Sequence, residues 1–260
     1  MLLKPFQLKY DLVIHSNEPR YWFFLLGSLL IETLLVRLFD RLDSDRKDVM
    51  LKRFGILLFA GNLTLPIYAI LDPDQALTWH RSLPLHFCGM NYILIAVNCF
   101  ARNRYLFMFT AFLGTIGGVH GMLTPQLTVG DAPLVLVDYY MRHSAIVFFP
   151  IVMARSFGFQ FVRYGWMWIY VVAALISSSI GVFNWVLNTV FASDVMANYM
   201  YMWEAPKVDN PFVPKWPWPY YILALHAGLN LNLLVINVIY RWRSPVAAMA
   251  HLPRWKQLLT

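Results

Sequence analysis

Seven apolar stretches of about bilayer-crossing length, each bounded by charge, leave this chain few folds open to it. A helix needs roughly 20 apolar residues to cross the hydrocarbon core. Stretches near that length lie at 21–39, 54–71, 83–101, 105–123, 134–154, 164–191 and 219–240. With 59% hydrophobic and only 13% charged residues, the chain falls well below the ~25% charge of soluble domains. The fold class expected is all-α: a polytopic membrane protein, a seven-transmembrane-helix bundle. No Gly/Ser linker, internal repeat or low-complexity tract divides it, so residues 1–260 read as a single integral membrane domain.

A net charge of +7 would point to nucleic acid in a soluble chain. Here the basic residues sit between apolar stretches and act as topology signals, so no nucleic-acid partner is implied. Most of them follow the first, third, fifth and seventh stretches: Arg37, Arg41, Arg46, Lys47, Lys52 and Arg53, then Arg102 and Arg104, Arg155 and Arg163, and Arg241, Arg243, Arg254 and Lys256. This alternation puts the N-terminus outside (or in the lumen) and the C-terminus in the cytoplasm. Residues 1–20 contain Lys4, Asp11, Glu18 and Arg20 and no apolar core of a signal peptide, so the first span itself is expected to direct insertion. The run Trp216-Pro217-Trp218-Pro219-Tyr220 fits an outer interfacial belt.

The third stretch opens unusually, as Ser82-Leu83-Pro84-Leu85-His86-Phe87-Cys88-Gly89-Met90-Asn91. Ser82 can cap a helix and Pro84 suits a first turn, which places Cys88 one to two turns inside. Under the orientation above, His86, Cys88, His120, Asp138, Arg142, His143, Asn184, His226 and Asn230 all fall towards the outer leaflet, on five different spans. Ionisable groups at such depths are costly and mark function by default. Each also has a plainer reading. A buried cysteine usually packs as a small apolar residue. Asp138 and Arg142, spaced i,i+4, form an internal ion pair without any catalysis. Asn184 and His226 can be interhelical hydrogen-bonding groups, and His120 borders a solvated loop. Cys88 and Cys99 are too far apart along one helix for a disulfide, and no metal or diffusible cofactor is implied.

Several stretches resemble the YwaF-type integral membrane family of bacteria: Leu83-Pro84-Leu85-His86-Phe87-Cys88, Gly117-Gly118-Val119-His120-Gly121-Met122-Leu123-Thr124-Pro125-Gln126, Arg142-His143-Ser144, Asn198-Tyr199-Met200-Tyr201-Met202 and the Trp-Pro run. That family is similar to a eukaryotic seven-span acyltransferase that remodels ether phospholipids through a cysteine acyl-enzyme. The resemblance implies that Cys88 matches the nucleophile and His143 the matching histidine, while His120 lies outside the pattern. The enzyme expected is therefore a cysteine-dependent phospholipid acyltransferase, with membrane phospholipids as acyl donor and acceptor. Its localisation would be multi-pass, in a bacterial plasma membrane, or in an endomembrane were the source eukaryotic, with the site towards the outer or lumenal leaflet. His86, Asn91, His120, Asp138, Arg142, Asn184 and His226 are the substrate-binding or oxyanion candidates. A lipid ester hydrolase is the closest alternative. A transporter or receptor is a further one, although the seventh stretch contains neither a lysine for a retinal Schiff base nor an Asn-Pro-x-x-Tyr motif.

Overall fold

A computed structural model describes residues 12–71, 78–127, 130–162, 164–207, 213–214 and 216–243. The described residues are mostly helical, 74%. Its helices are α1 (Pro19–Arg41), α2 (Ser44–Gly61), α3 (Thr64–Leu71), α4 (Phe87–Ala101), α5 (Arg104–Phe109), α6 (Thr115–Leu123), α7 (Pro133–Phe157), α8 (Gly165–Thr189) and α9 (Tyr220–Arg243). A π-helical turn, Thr110–Gly114, joins α5 to α6 in one continuous rod. Among the described residues, six helical segments are long and apolar enough to cross a membrane: Pro19–Arg41, Ser44–Tyr68, Arg104–Leu123, Pro133–Phe157, Gly165–Thr189 and Tyr220–Tyr240. The third expected span is represented by α4, an apolar helix of 15 residues.

Three expectations are corrected here. Ser82 and Pro84 do not begin α4. The helix starts at Phe87, with extended His86 as its cap residue, so Cys88 sits in the first turn and not one to two turns inside. The chain is also not purely helical: Leu12–Val13 pairs antiparallel with Gln126–Leu127 as a short ladder, β1 and β2. The basic interval between the stretches at 21–39 and 54–71 is not a loop: only Leu42 and Asp43 separate α1 from α2, which starts at Ser44, where the Asp43 carboxylate accepts the Arg46 N–H at 2.8 Å.

Helices α4 and α7 and the α5–α6 rod form the centre. Ile95, Ala96, Cys99, Phe107, Ala111, Phe112, Phe149, Val152 and Met153 are buried together there. Large apolar side chains on α1, α2, α8 and α9 face outward instead, among them Phe23, Leu30, Leu57, Leu175 and Leu223. An exposed apolar belt of that extent belongs against lipid.

Charge pairs order the two ends. At one end Asp48 pairs with Arg102, and Asp40 with Arg155 at 2.6 Å, which gathers the α1–α2 turn with the C-terminal ends of α4 and α7. At the other end Arg20 meets Asp131 at 2.7 Å and the Tyr21 hydroxyl donates to the Leu123 carbonyl. The N-terminal turn of α4 and the C-terminal turn of α6 lie at this second end.

Candidate active site

The edge of α6 that packs against Cys88 and α7 is built from glycine. A methyl group at Gly117 would stand 2.8 Å from the Cys88 Sγ, and one at Gly118 would stand 2.8 Å from the His143 carbonyl oxygen. At Gly121 a methyl would run into the His143 imidazole, 2.6 Å from Nε2. Gly117 and Gly121 are one turn apart on one face of the helix. The thiol of α4 and the imidazole of α7 therefore face the same bare flank of α6, about one turn apart along it. Small residues let membrane helices approach this closely.

His143 is buried, and its Nδ1 lies 2.7 Å from the Tyr139 carbonyl oxygen. A carbonyl only accepts, so Nδ1 carries the proton of the neutral ring and Nε2 presents its lone pair. Tyr139 acts twice more. Its ring lies against the imidazole with centroids 4.1 Å apart, and its hydroxyl donates to the Gly121 carbonyl at 2.9 Å. A nucleophile candidate, a base candidate with a fixed tautomer and a group that orients the base are thus assembled from α4, α6 and α7.

Residues 197–201 form a roof over the entry to α4. Asn184 of α8 donates from Nδ2 to the Tyr199 carbonyl at 2.9 Å and accepts the Tyr199 N–H on Oδ1 at 3.1 Å. Asn188, one turn on, does the same with Ala197, at 3.0 and 2.7 Å. Two side-chain amides so imitate the edge of a β-sheet and hold the segment to α8. Beyond this clamp, Met200 and Tyr201 turn through left-handed backbone, with φ of 55° and 56°. Burial pushes the Tyr199 phenol up; protonated, it donates to the Trp79 carbonyl at 2.8 Å while accepting the Leu83 N–H at 3.0 Å. The Met200 N–H donates to His86 Nδ1 at 3.3 Å, and the His86 ring packs between Tyr199 and Tyr201.

A family model, that of the TMEM164 family, matches residues 15–239. The chain belongs to the TMEM164 family. This is a family of membrane proteins, and the matched range covers the helices that build the site, with Cys88, His143 and the roof segment inside it. No curated relative and no solved structure matches the chain.

Within this TMEM164-family fold, the other candidates separate from the thiol and imidazole. Asp138 and Arg142 pair at 2.5 Å on α7; Arg142 Nη2 donates to the Gly61 carbonyl at the end of α2, and its guanidinium lies over the ring of Tyr92 on α4, 4.7 Å from the centroid. A cation at the C-terminal end of α2 meets its unsatisfied carbonyls, so this pair stitches α7 to α2. Asn184 is committed to the roof. Asn91 is buried, with its Nδ2 donating to the Phe87 carbonyl at 2.7 Å and its Oδ1 near Gly114. His120 stands in the last turn of α6, half-buried. His226 lies on α9, edge-on to Tyr170 of α8 at 5.9 Å. Among the described residues, no three His, Cys, Asp or Glu side chains gather as metal ligands. Sequence reasoning passed over Tyr139, Asn188 and the glycine flank. The spacings Gly114-x-x-x-Gly118 and Gly117-x-x-x-Gly121 were the available signal for the last.

Arg142→Ala would strand the Asp138 carboxylate, which is 8% exposed. Leaving one member of a buried pair typically costs ~3 kcal/mol or more, read here as a lower midpoint of thermal unfolding in detergent. The double replacement Asp138→Asn, Arg142→Met should recover most of that loss. A double variant no more stable than Arg142→Ala would refute the stitching role.

Proposed function

We propose that this chain is a seven-span membrane acyltransferase that moves a fatty acyl chain from a phospholipid to a lipid hydroxyl through a Cys88 thioester. The observation that carries the reading is the common flank of α6, which the Cys88 thiol and the His143 imidazole both face, with the His143 lone pair set on Nε2 by the Tyr139 carbonyl. The resemblance to the YwaF-type family and its acyltransferase kin supports it from the sequence side.

His143 Nε2 takes the thiol proton, and the thiolate attacks the ester carbonyl of the donor. The tetrahedral intermediate collapses as the ester C–O bond breaks, and the imidazolium returns its proton to the departing lysolipid oxygen. The acceptor hydroxyl then gives its proton to the same Nε2 and attacks the thioester, which restores the thiol. Backbone N–H groups of Phe87, Cys88 and Gly89 precede the first helical hydrogen bond of α4, made by the Met90 N–H to the His86 carbonyl at 3.0 Å. By helix geometry they are the natural oxyanion donors. Asn184 and Asn91 suit that task less well, since both amides already donate to backbone carbonyls. Intact-protein mass measurement after incubation with phospholipid tests the reading: an added fatty-acyl mass is expected, and its absence under conditions of turnover would overturn it. Free fatty acid in place of a new ester would reassign the reaction to hydrolysis.

In the proposed topology α4 and the extended entry from Ser82 together complete the seventh crossing, and the Arg102–Asp48 end is cytoplasmic. The thiol then lies near the outer headgroups, at the depth of ester carbonyls. A cysteine placed at Asp45 should resist an impermeant maleimide in intact cells and label after permeabilisation. Labelling from outside would invert the orientation.

A further inference from the structure

A cavity at the second end of the bundle lies between the entry to α4 and the roof segment, outside the thiol–imidazole chemistry. Arg81, His86, Gln126, Tyr201, Glu204 and Lys207 are among the side chains that line it. We propose that it holds the phosphate of a glycerophospholipid headgroup, a role that deepens the acyl-transfer reading and rests on it.

The first support is continuity. His86, two residues before Cys88, lines the cavity, and the Tyr201 hydroxyl on the same lining reaches Gln126 Oε1 at 3.5 Å. The cavity thus borders the N-terminal end of α4, whose first turn carries Cys88, and headgroup phosphate and acyl ester are only a few bonds apart in a glycerophospholipid. The second support is donor chemistry. His86 Nδ1 accepts the Met200 N–H, so a neutral ring carries its proton on Nε2 and is a donor. His86 and His143 are therefore set in opposite tautomers, one to donate and one to accept. Arg81 adds a planar guanidinium, the group that best matches phosphate oxygens, and Lys207 a second cation. Glu204 on the same wall limits the net charge of the ligand, so a monoanionic or zwitterionic headgroup fits and a polyanionic one meets a carboxylate. The third support is depth. Trp79, directly before His80 and Arg81, is exposed, as are Trp216 and Trp218 ahead of α9. Exposed tryptophans mark the level of the headgroups.

The test uses full-length protein in detergent micelles, given dioleoylphosphatidylethanolamine or dioleoylglycerol, with bound lipid counted by native mass spectrometry. Wild type should retain the phospholipid in preference to the diacylglycerol. Arg81→Gln and Lys207→Gln should each weaken phospholipid retention roughly tenfold, the worth of one charge-assisted contact. Lys207 is exposed, so its variant serves even if Arg81→Gln fails to fold. Equal retention of the two lipids by wild type, or retention unaltered in Lys207→Gln, would overturn the assignment. Displacement of the lipid by inorganic phosphate alone would make the cavity a free-phosphate site and also overturn it. Acyl adduct formation on wild type from a soluble nitrophenyl ester separates the two readings. Selective retention without any adduct would break the acyl-transfer reading and leave the headgroup site standing, whereas an adduct with unselective retention would do the reverse.

Discussion

Cys88→Ser is expected to abolish the hydroxylamine-labile acyl adduct while leaving a folded protein. The exchange of sulfur for oxygen alters volume little, and Cys88 is half-buried in the first turn of α4, so packing around it should survive. Reactivity should not, because a serine hydroxyl is a far weaker nucleophile without a triad arranged for it. Cys99 supplies the internal control. It is buried on the same helix, towards the Arg102 end, where a methyl at Gly55 of α2 would meet its Cβ at 2.8 Å. Cys99→Ser should keep the adduct. A stable oxygen ester trapped on the serine of the Cys88 variant would still locate the site. Wild-type turnover persisting in Cys88→Ser would end the acyl-enzyme reading and return Cys88 to a packing role.

His143→Ala should lower turnover by roughly 10²–10⁴, the usual loss with a general base, and His120→Ala by much less. A larger loss from His120→Ala would move the base to α6. Gly121→Ala separates geometry from chemistry. It keeps the imidazole but puts a methyl group where the ring now lies, so turnover should fall towards that of His143→Ala although every reacting group is present. Turnover close to wild type in Gly121→Ala would mean that the imidazole need not rest against α6.

The helices were legible because apolar length is a strong signal: α7, α8 and α9 fall within a few residues of the stretches at 134–154, 164–191 and 219–240. The pairing of Cys88 with His143 came from the resemblance, and composition alone would not have chosen it over His86 or His120. What was misread depended on partners distant in the chain. Leu83-Pro84-Leu85 looks like a first helical turn, yet the Leu83 N–H is taken by the Tyr199 hydroxyl 116 residues away. Asn184 looked like an oxyanion donor because a sequence shows an amide but not the backbone opposite it; the Tyr199 backbone takes both halves of that amide. Tyr139 was overlooked for a related reason. Its most consequential atom is a main-chain oxygen, which every residue has. The β1–β2 ladder, two residues a side, is too short for any periodicity to reveal.

The glycine flank of α6 has a consequence for how this protein can vary. The thiol and the imidazole belong to different helices, and neither sets the other's position; both are referred to a third surface that carries no side chain. Their separation is then an alignment of three rods against a common datum, with no flexible linkage in between to take up error. Substitutions on the lipid-facing sides of α4 and α7 can accumulate without disturbing that alignment, while a single carbon atom added to the datum shifts it by a full bond length. Tolerance is therefore broad around the rim of the bundle and narrow along one strip of it, and that strip contains no residue with a reactive group of its own.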